Sequence, residues 1–506
     1  MLFNSVEFIF IFLPLTLILF YIFSGTRQLI VLIFASLFFY GFWNPIYVIL
    51  LLVSIGFNYT IGKSILFFHQ DIKKQLVLSF GIALNLILLG YYKYANFFID
   101  NINIVFSTNF FLEQIILPIA ISFFTFQQIS YLVDTYKNRV CFHTFLKYCL
   151  FVIFFPQLIA GPIVQQKYVM DQYNDKRFGA FVLSSFTIGI ALFIVGLAKK
   201  VLIADNLGIY ANLLFDDASQ LQYISFFYAW VGSISFSLQL YFDFSGYSDM
   251  ALGLAMLFGI KLPVNFYSPY KALSIIDFWR RWHMTLSDFL KNYLYIPLGG
   301  NKEGKAKHVR NIFIVMLLGG LWHGAGWGFI IWGGLHAVYI VINHFFRYIY
   351  QNMKWQFNEK IIFKLFAFTL TFICVVISWV FFRAEKLEHA SHILKSMFAF
   401  NGITVPKVLI DKVPILKDSG FIDHAKVGDT WLGIIQNEYL LFLIPVFFAC
   451  IMLPSSMSFF GWLKEKNNSI TFQPNFLYGV ISSLMLFASI LYIVAKASSD
   501  FLYYQF

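Results

Sequence analysis

Long apolar runs separated by short polar breaks cover almost the whole chain. Crossing a bilayer takes about 20 mostly apolar residues. Runs of that kind lie near 5–23, 28–52, 75–92, 112–133, 144–164, 181–203, 222–244, 309–323, 326–346, 361–382, 437–453 and 475–496. Several are short or merge, so the pattern predicts an all-α, polytopic integral membrane protein with roughly ten to thirteen transmembrane helices. Gly and Pro interrupt many of the runs, at Pro118, Pro156, Gly161-Pro162, Gly232 and Gly246. Broken backbone at membrane depth is tolerated only where it is buried in protein or lines a cavity. The expectation is therefore an irregular core around a pathway, with residues 1–506 forming one membrane-embedded domain.

Composition sharpens this picture. Hydrophobic residues make up 59% of the chain and charged residues 12%, against about 25% charged in an ordinary soluble protein. The first apolar run has neither a basic leader nor a small-residue cleavage site, so it is expected to be retained. Cys141, Cys149, Cys374 and Cys450 form no CxxC pair and are read as small buried hydrophobes, giving neither a metal site nor a disulfide framework. The net charge of +11 reports topology in such a protein and is no sign of nucleic-acid binding. Residues 261–310 carry nine basic residues (Lys261, Lys271, Arg280, Arg281, Lys291, Lys302, Lys305, Lys307, Arg310) against three acids (Asp277, Asp288, Glu303), which places them in the cytoplasm. The connection near 204–222 holds Asp205, Asp216 and Asp217 with no Lys or Arg, which suits the outside. Segment 383–436 lacks a positive bias and is placed outside, where a partner could dock.

Candidate chemistry concentrates in two places. Gly319-Gly320-Leu321-Trp322-His323-Gly324-Ala325-Gly326-Trp327-Gly328 puts an ionisable group inside an apolar stretch. Such groups usually face a protein interior or a watery cavity and mark function. We read His323 as the chemical centre; the alternative is a structural histidine hydrogen-bonded to a neighbouring helix. The second place is Ile275 to Leu290, read as one interfacial helix with an apolar stripe that carries His283 one turn past Trp279. An anchor helix with snorkelling arginines is the plainer alternative. The turn Tyr295-Ile296-Pro297-Leu298-Gly299-Gly300-Asn301, followed by Lys302, Lys305, Lys307 and Arg310, suits phosphates at a cytoplasmic mouth; for any single lysine ordinary positive-inside charge is the better account. Asp243 and Asp249 are six residues apart and share no helical face unless the helix breaks at Gly246, so a structural role is expected. Gly56 to Ser64 misses the phosphate-loop spacing by one residue and is set aside.

Taken together these segments resemble the membrane-bound O-acyltransferase (MBOAT) family, in its bacterial alginate and peptidoglycan O-acetyltransferase-like branch. The resemblance rests on Pro156-Gln157-Leu158-Ile159-Ala160-Gly161-Pro162-Ile163, Tyr241 to Asp249, Asn265-Phe266-Tyr267-Ser268-Pro269-Tyr270, Phe278-Trp279-Arg280-Arg281-Trp282-His283, Tyr295 to Asn301 and Gly320-Leu321-Trp322-His323-Gly324-Ala325. It spans nearly the whole chain, the start (Met1 to Ser5) and the end (Phe501 to Phe506) included. The resemblance implies a multi-helix shell around a central tunnel that links a cytoplasmic donor mouth to an outer acceptor side. It implies that His323 is catalytic and His283 a second important position. Acetyl-CoA is the expected donor, held through its phosphates by Arg280, Arg281, Lys302, Lys305 and Lys307, with Trp322 and Trp279 lining the tunnel and no metal. Other expected partners are membrane lipids and a periplasmic, SGNH-like acetyltransferase protein.

The chemistry fits these expectations. A thioester is already activated, so an enzyme needs a base for the acceptor hydroxyl, oriented reactants and exclusion of water. Histidine titrates near neutrality and can take and return that proton. The expected activity is transfer of acetyl across the bacterial inner membrane for O-acetylation of an exported polysaccharide such as alginate or peptidoglycan. Two alternatives stay open: a polysaccharide exporter or flippase with a charged pathway, and the D-alanyl transfer protein of teichoic acids.

Overall fold

The computed structural model describes residues 1–139, 144–175, 177–353, 360–405, 422–423, 439–463, 471–496 and 501–502. Among the described residues the chain is mostly helical, with one two-residue parallel pairing of Thr404–Val405 with Ile422–Asp423. Six helices are long and apolar enough to cross a membrane: Ile46–Phe67, Asp71–Phe106, Leu183–Ser219, Trp327–Asn352, Ile361–Arg383 and Phe476–Ala495. Phe8–Ile22, Thr26–Gly41 and Tyr439–Met452 are shorter apolar helices. The protein is thus a multi-pass, all-helical membrane protein.

Several predicted spans differ in extent. The runs expected near 75–92 and 181–203 belong to continuous helices of 36 and 37 residues. At 1.5 Å per residue each is about 55 Å long, well beyond the roughly 30 Å of a hydrocarbon core. Around 112–133 the chain is extended through Pro118, and a helix starts only at Ile121. The run at 144–164 holds two short helices, Phe145–Ile153 and Phe155–Leu158. These turn back, because Gln172 bonds to Lys261 at the same end of the bundle as Gln28 and Gly179.

The centre is α1, Phe226–Leu257, buried at almost every position from Tyr228 onward. The sequence raised a break at Gly246, but α1 runs straight through it. The glycine instead allows close approach of Leu183–Ser219: a Cβ there would lie 2.7 Å from Gly196 O. On either side of this contact Asp243 pairs with Lys200 and Asp249 with Lys199, both at 2.6 Å. Both carboxylates are therefore structural. Lys199 and Lys200 sit at the start of a π-helical stretch, Lys199–Ala204.

Two further helices carry the candidate site. α2, Lys305–His323, packs against α3, Trp327–Asn352, backbone to backbone. A Cβ on Gly320 would meet Phe329 O and come within 3.3 Å of Gly333 Cα. Small residues at such an interface let backbones approach closely in a membrane. Cys149 and Cys450 are buried free thiols, while Cys141 lies outside the described residues.

Candidate active site

His323 is the last residue of α2. Glycine next in sequence is fully extended (φ −162°), which ends the helix and turns the chain into α3. The His323 side chain is 3% exposed. Its ring lies among Trp322 (5.0 Å between centroids), Trp332 (5.1 Å) and Phe382 (5.2 Å). One cavity of about 600 Å³ reaches it. That cavity is walled by Met1, Tyr40, Lys93, Ser122, Trp322 and His323, among others. It opens between the start of the chain, Trp43 and residues 117–123. These lie a helix length from the basic residues Lys302 to Arg310 around the start of α2, which runs from there toward the cavity.

The second histidine is reached by a different route. Sequence pattern predicted one helix from Ile275 to Leu290. The structure has two, Ile275–Trp279 and Met284–Leu290, with His283 between them at φ 42°, ψ 53°. The left-handed region is disfavoured for a residue with a Cβ by roughly 1–2 kcal/mol and tends to occur at functional sites. Two backbone bonds hold it, Met284 N to Asn265 O (2.9 Å) and Tyr267 N to Arg281 O (2.9 Å). The kink turns His283 fully inward, 0% exposed, with its ring centroid 6.4 Å from that of His323.

Hydrogen bonding sets the tautomer of His283. Asn265 Oδ1 receives Thr285 Oγ1 at 2.9 Å and faces Thr285 N at 3.4 Å, and it lies 3.0 Å from His283 Nδ1. A backbone N–H can only donate, so this Asn265 atom is the oxygen. Nδ1 of His283 must then carry the proton, leaving the lone pair on Nε2. Thr285 Oγ1 in turn accepts Ile163 N at 3.0 Å, Asn265 Nδ2 donates to Ser248 Oγ at 3.3 Å, and Phe244 packs edge-on against His283 at 4.8 Å. Four of the segments on which the resemblance rests, around Ile163, Phe244, Asn265 and His283, thus meet beside His323.

The other sequence candidates fall into three groups. Trp322 lines the cavity, stacked between Phe126 (5.3 Å) and the edge of Phe123 (5.4 Å). Trp279 does not line it. Its indole N–H donates to His336 Nδ1 at 3.2 Å, and its ring packs on Trp332 at 5.8 Å, because the helix ending at Trp279 lies against α3. The five cations lie at the basic end. Arg280 is exposed. Arg281 pairs with Asp277 (3.0 Å) and stands over Tyr267 (5.1 Å). Lys302 is exposed, Lys305 stands over Tyr348 (4.3 Å), and Lys307 pairs with Glu303 (2.9 Å). That hydrogen bond from Lys307 holds the Glu303 carboxyl below its usual range. Eighteen residues of α2, about 27 Å, separate Lys305 from His323, and none of the five cations lines the cavity. Among the described residues no cluster of His, Cys, Asp and Glu could hold a metal ion.

Sequence reasoning missed Lys93 and His336. Lys93 lines the cavity beside His323. His336 is fully buried behind Trp332, 4.8 Å between centroids. A lysine in an apolar run is a signal that could have been read.

Comparison with known proteins now decides the family. The pattern of "MBOAT, membrane-bound O-acyltransferase family" matches residues 140–383. The peptidoglycan O-acetyltransferase of Helicobacter pylori is 40% identical over 100% of this chain and 98% of its own length. This chain belongs to the membrane-bound O-acyltransferase family. The probable alginate O-acetylase of Pseudomonas syringae pv. tomato is 40% identical over 79% of this chain and 76% of its own. The teichoic acid D-alanyltransferase of Bacillus subtilis is 29% identical over 53% of this chain and 69% of its own. As an MBOAT protein the chain is an O-acyltransferase enzyme. The matched region runs from the start of the re-entrant helices to Arg383, so it takes in both histidines and their supports.

Proposed function

We propose that this MBOAT protein takes acetyl from cytoplasmic acetyl-CoA and delivers it across the bacterial inner membrane for O-acetylation of an exported polysaccharide. The observation that carries the reading is a buried histidine at the floor of a 600 Å³ cavity, with a second, tautomer-fixed histidine 6.4 Å behind it. Peptidoglycan is the first polymer to test, because the relative of that name aligns over its full length, whereas the alginate relatives align over about four-fifths of this chain.

In this reading the acceptor hydroxyl enters from the cavity and the thioester from the basic end. The His323 imidazole takes the hydroxyl proton as oxygen bonds to the acetyl carbon. The tetrahedral intermediate collapses, the carbon–sulfur bond breaks, and the imidazolium returns its proton to the thiolate. The lone pair on His283 Nε2 gives the pair a second acceptor. The aromatic rings of Trp322, Trp332 and Phe382 around the imidazole limit water at the thioester. Of the five cations, Arg280 and Arg281 are best placed for the donor phosphates, since they precede His283 by three and two residues, while the lysines sit a helix length away.

The acceptor at the outer side is a hydroxyl on a periplasmic, SGNH-like partner, which then modifies the polymer. It is expected to dock near 383–436 or the aromatic tail. Phe501 and Leu502 of the aromatic tail are buried, with Leu502 N–H donating to Asp243 at 2.9 Å, so these two pack into the bundle. Tail residues 503–506 and segments 406–421 and 424–436 lie outside the described residues. D-alanyl transfer is the weaker alternative, because the relatives of that name match only about half of the chain.

The test is His323→Ala in cells. Base-releasable O-acetyl on isolated peptidoglycan should vanish while the protein level in the membrane holds. Retained acetylation removes His323 from the chemistry.

A further inference from the structure

A helix leaves its last four carbonyls without partners inside the helix. At the end of α2 three of these are Leu321 O, Trp322 O and His323 O, and all three are met from one place. Tyr94 Oη donates to Leu321 O at 2.8 Å. Lys93 Nζ donates to Trp322 O at 2.6 Å and to His323 O at 3.0 Å. Lys93 and Tyr94 close the π-helical turn Gly90–Tyr94 in Asp71–Phe106. π turns of this kind are frequent at functional sites.

An ammonium has three N–H donors. The third of Lys93 points to Ser122 Oγ at 3.4 Å. With all three protons engaged, Lys93 has none left for a developing oxyanion. Its charge also faces the negative end of the α2 dipole, where a cation is favourable. The group is therefore built to hold the end of α2, not to touch the reacting carbonyl. The residue it holds is the one whose ring forms the cavity floor.

We propose that Lys93 and Tyr94 form a carbonyl clamp that positions His323 for acyl transfer. Lys93 and Tyr94 are positioning residues: they act on the end of the helix that carries the imidazole. The proposal rests on His323 being the reacting group. A displacement of about 1 Å at a reacting group can lower a rate by about a hundredfold. Loosening the clamp should accordingly lower kcat by about tenfold to a hundredfold and leave the KM for acetyl-CoA within about twofold, since the donor phosphates bind elsewhere.

The experiment compares the wild-type protein with Lys93→Met, Lys93→Arg, Tyr94→Phe and His323→Ala in proteoliposomes. Thioester cleavage of acetyl-CoA gives kcat and KM. The rate of His323 modification by diethyl pyrocarbonate, followed by mass spectrometry, reads the position of the ring without any substrate. Lys93→Met should lower kcat without moving KM and should change the His323 modification rate. Lys93→Arg, which keeps the charge and donors, should restore at least part of both, and Tyr94→Phe should show a smaller change in the same direction. Should Lys93→Met fail to accumulate, Tyr94→Phe and Lys93→Arg carry the test by the same two readouts. Wild-type kcat and an unchanged modification rate in the variants overturn the clamp. If His323→Ala is inactive in that case, the clamp alone falls; if His323→Ala keeps transfer, the reading of His323 falls first.

Discussion

Removing the acceptor that fixes His283 is the most direct way to ask whether the second histidine acts through its tautomer. Asn265→Leu keeps approximate size but takes away Oδ1 and Nδ2. Two buried donors then lose their partner, His283 Nδ1–H (3.0 Å) and Thr285 Oγ1–H (2.9 Å). A buried donor left unsatisfied costs about 1–3 kcal/mol, so the pair amounts to roughly 2–6 kcal/mol, a large part of the ~5–15 kcal/mol that holds a typical domain together. His283 can escape its share by moving the proton to Nε2. That removes the lone pair from Nε2. Placing a catalytic histidine in the wrong tautomer has lowered kcat by about 10⁴ in serine proteases; here His283 is the second histidine, so a loss of about 10²–10³ is expected. Asn265→Asp keeps an acceptor for both donors and should lose far less. The assay is acetyl transfer per unit of membrane protein, with thermal unfolding in detergent measured in parallel. Wild-type transfer in Asn265→Leu, or equal loss in Asn265→Asp and Asn265→Leu at equal stability, would refute the tautomer argument.

Other outcomes follow from the same geometry. Asp243→Ala should destabilise the protein by about 3–5 kcal/mol, because it leaves the Lys200 ammonium (2.6 Å away) buried without that carboxylate; a lowered unfolding temperature checks it, and an unchanged one counts against a structural role. Gly320→Val should overpack the contact of α2 with α3 by at least the 1–3 kcal/mol typical of added methyls, visible as loss of folded protein in detergent. Arg280→Ala should raise the KM for acetyl-CoA more than Lys305→Ala does, and the effect should shrink at high salt, where screening falls to about 3 Å at 1 M; equal effects would return the donor phosphates to the lysines. A single cysteine placed at Lys302 should react only with membrane-permeant thiol reagents, and labelling by an impermeant reagent from outside would invert the topology.

What could be read in advance followed burial and period. An ionisable group in an apolar stretch stands out by composition alone, so His323 was visible before any fold. Its neighbour Trp322 came as a wall only through the family resemblance, and it does line the cavity. The failures share one cause: backbone geometry that leaves no trace in an apolar pattern. Ile275 to Leu290 has a helical period throughout, and its apolar stripe already placed His283 facing inward, yet the backbone breaks there into two helices with His283 left-handed between them. Gly246 looked like a break and is a helix-packing contact. Trp279 had the right residue type and chain position for a wall, but the kink sends its helix to α3 and its indole to His336.

The π turns are the clearest case, and they explain why the lysines were passed over. Among the described residues there are π-helical stretches at Phe8–Phe12, Gly90–Tyr94, Lys199–Ala204 and Lys291–Tyr295. Lys93, Lys199 and Lys200 all lie in such stretches. Each ammonium is turned into protein, onto carbonyls at the end of α2 or onto the two carboxylates of α1. An extra residue in a helical turn rotates everything after it by about 100°. Lys93, near the end of its stretch, is aimed inward in this way without ending the helix, whereas Lys199 and Lys200 open theirs and Lys291, which opens the fourth, is exposed. The same long helix then crosses the membrane and delivers a cation to the site. In a bilayer this matters more than in water, since a charge in the wrong rotation has no solvent to receive it. The end of α2 that carries His323 is thus set by two devices that sequence period hides, a left-handed histidine on one side and a π turn on the other. Both bear on His283 and His323, which sequence composition had already singled out.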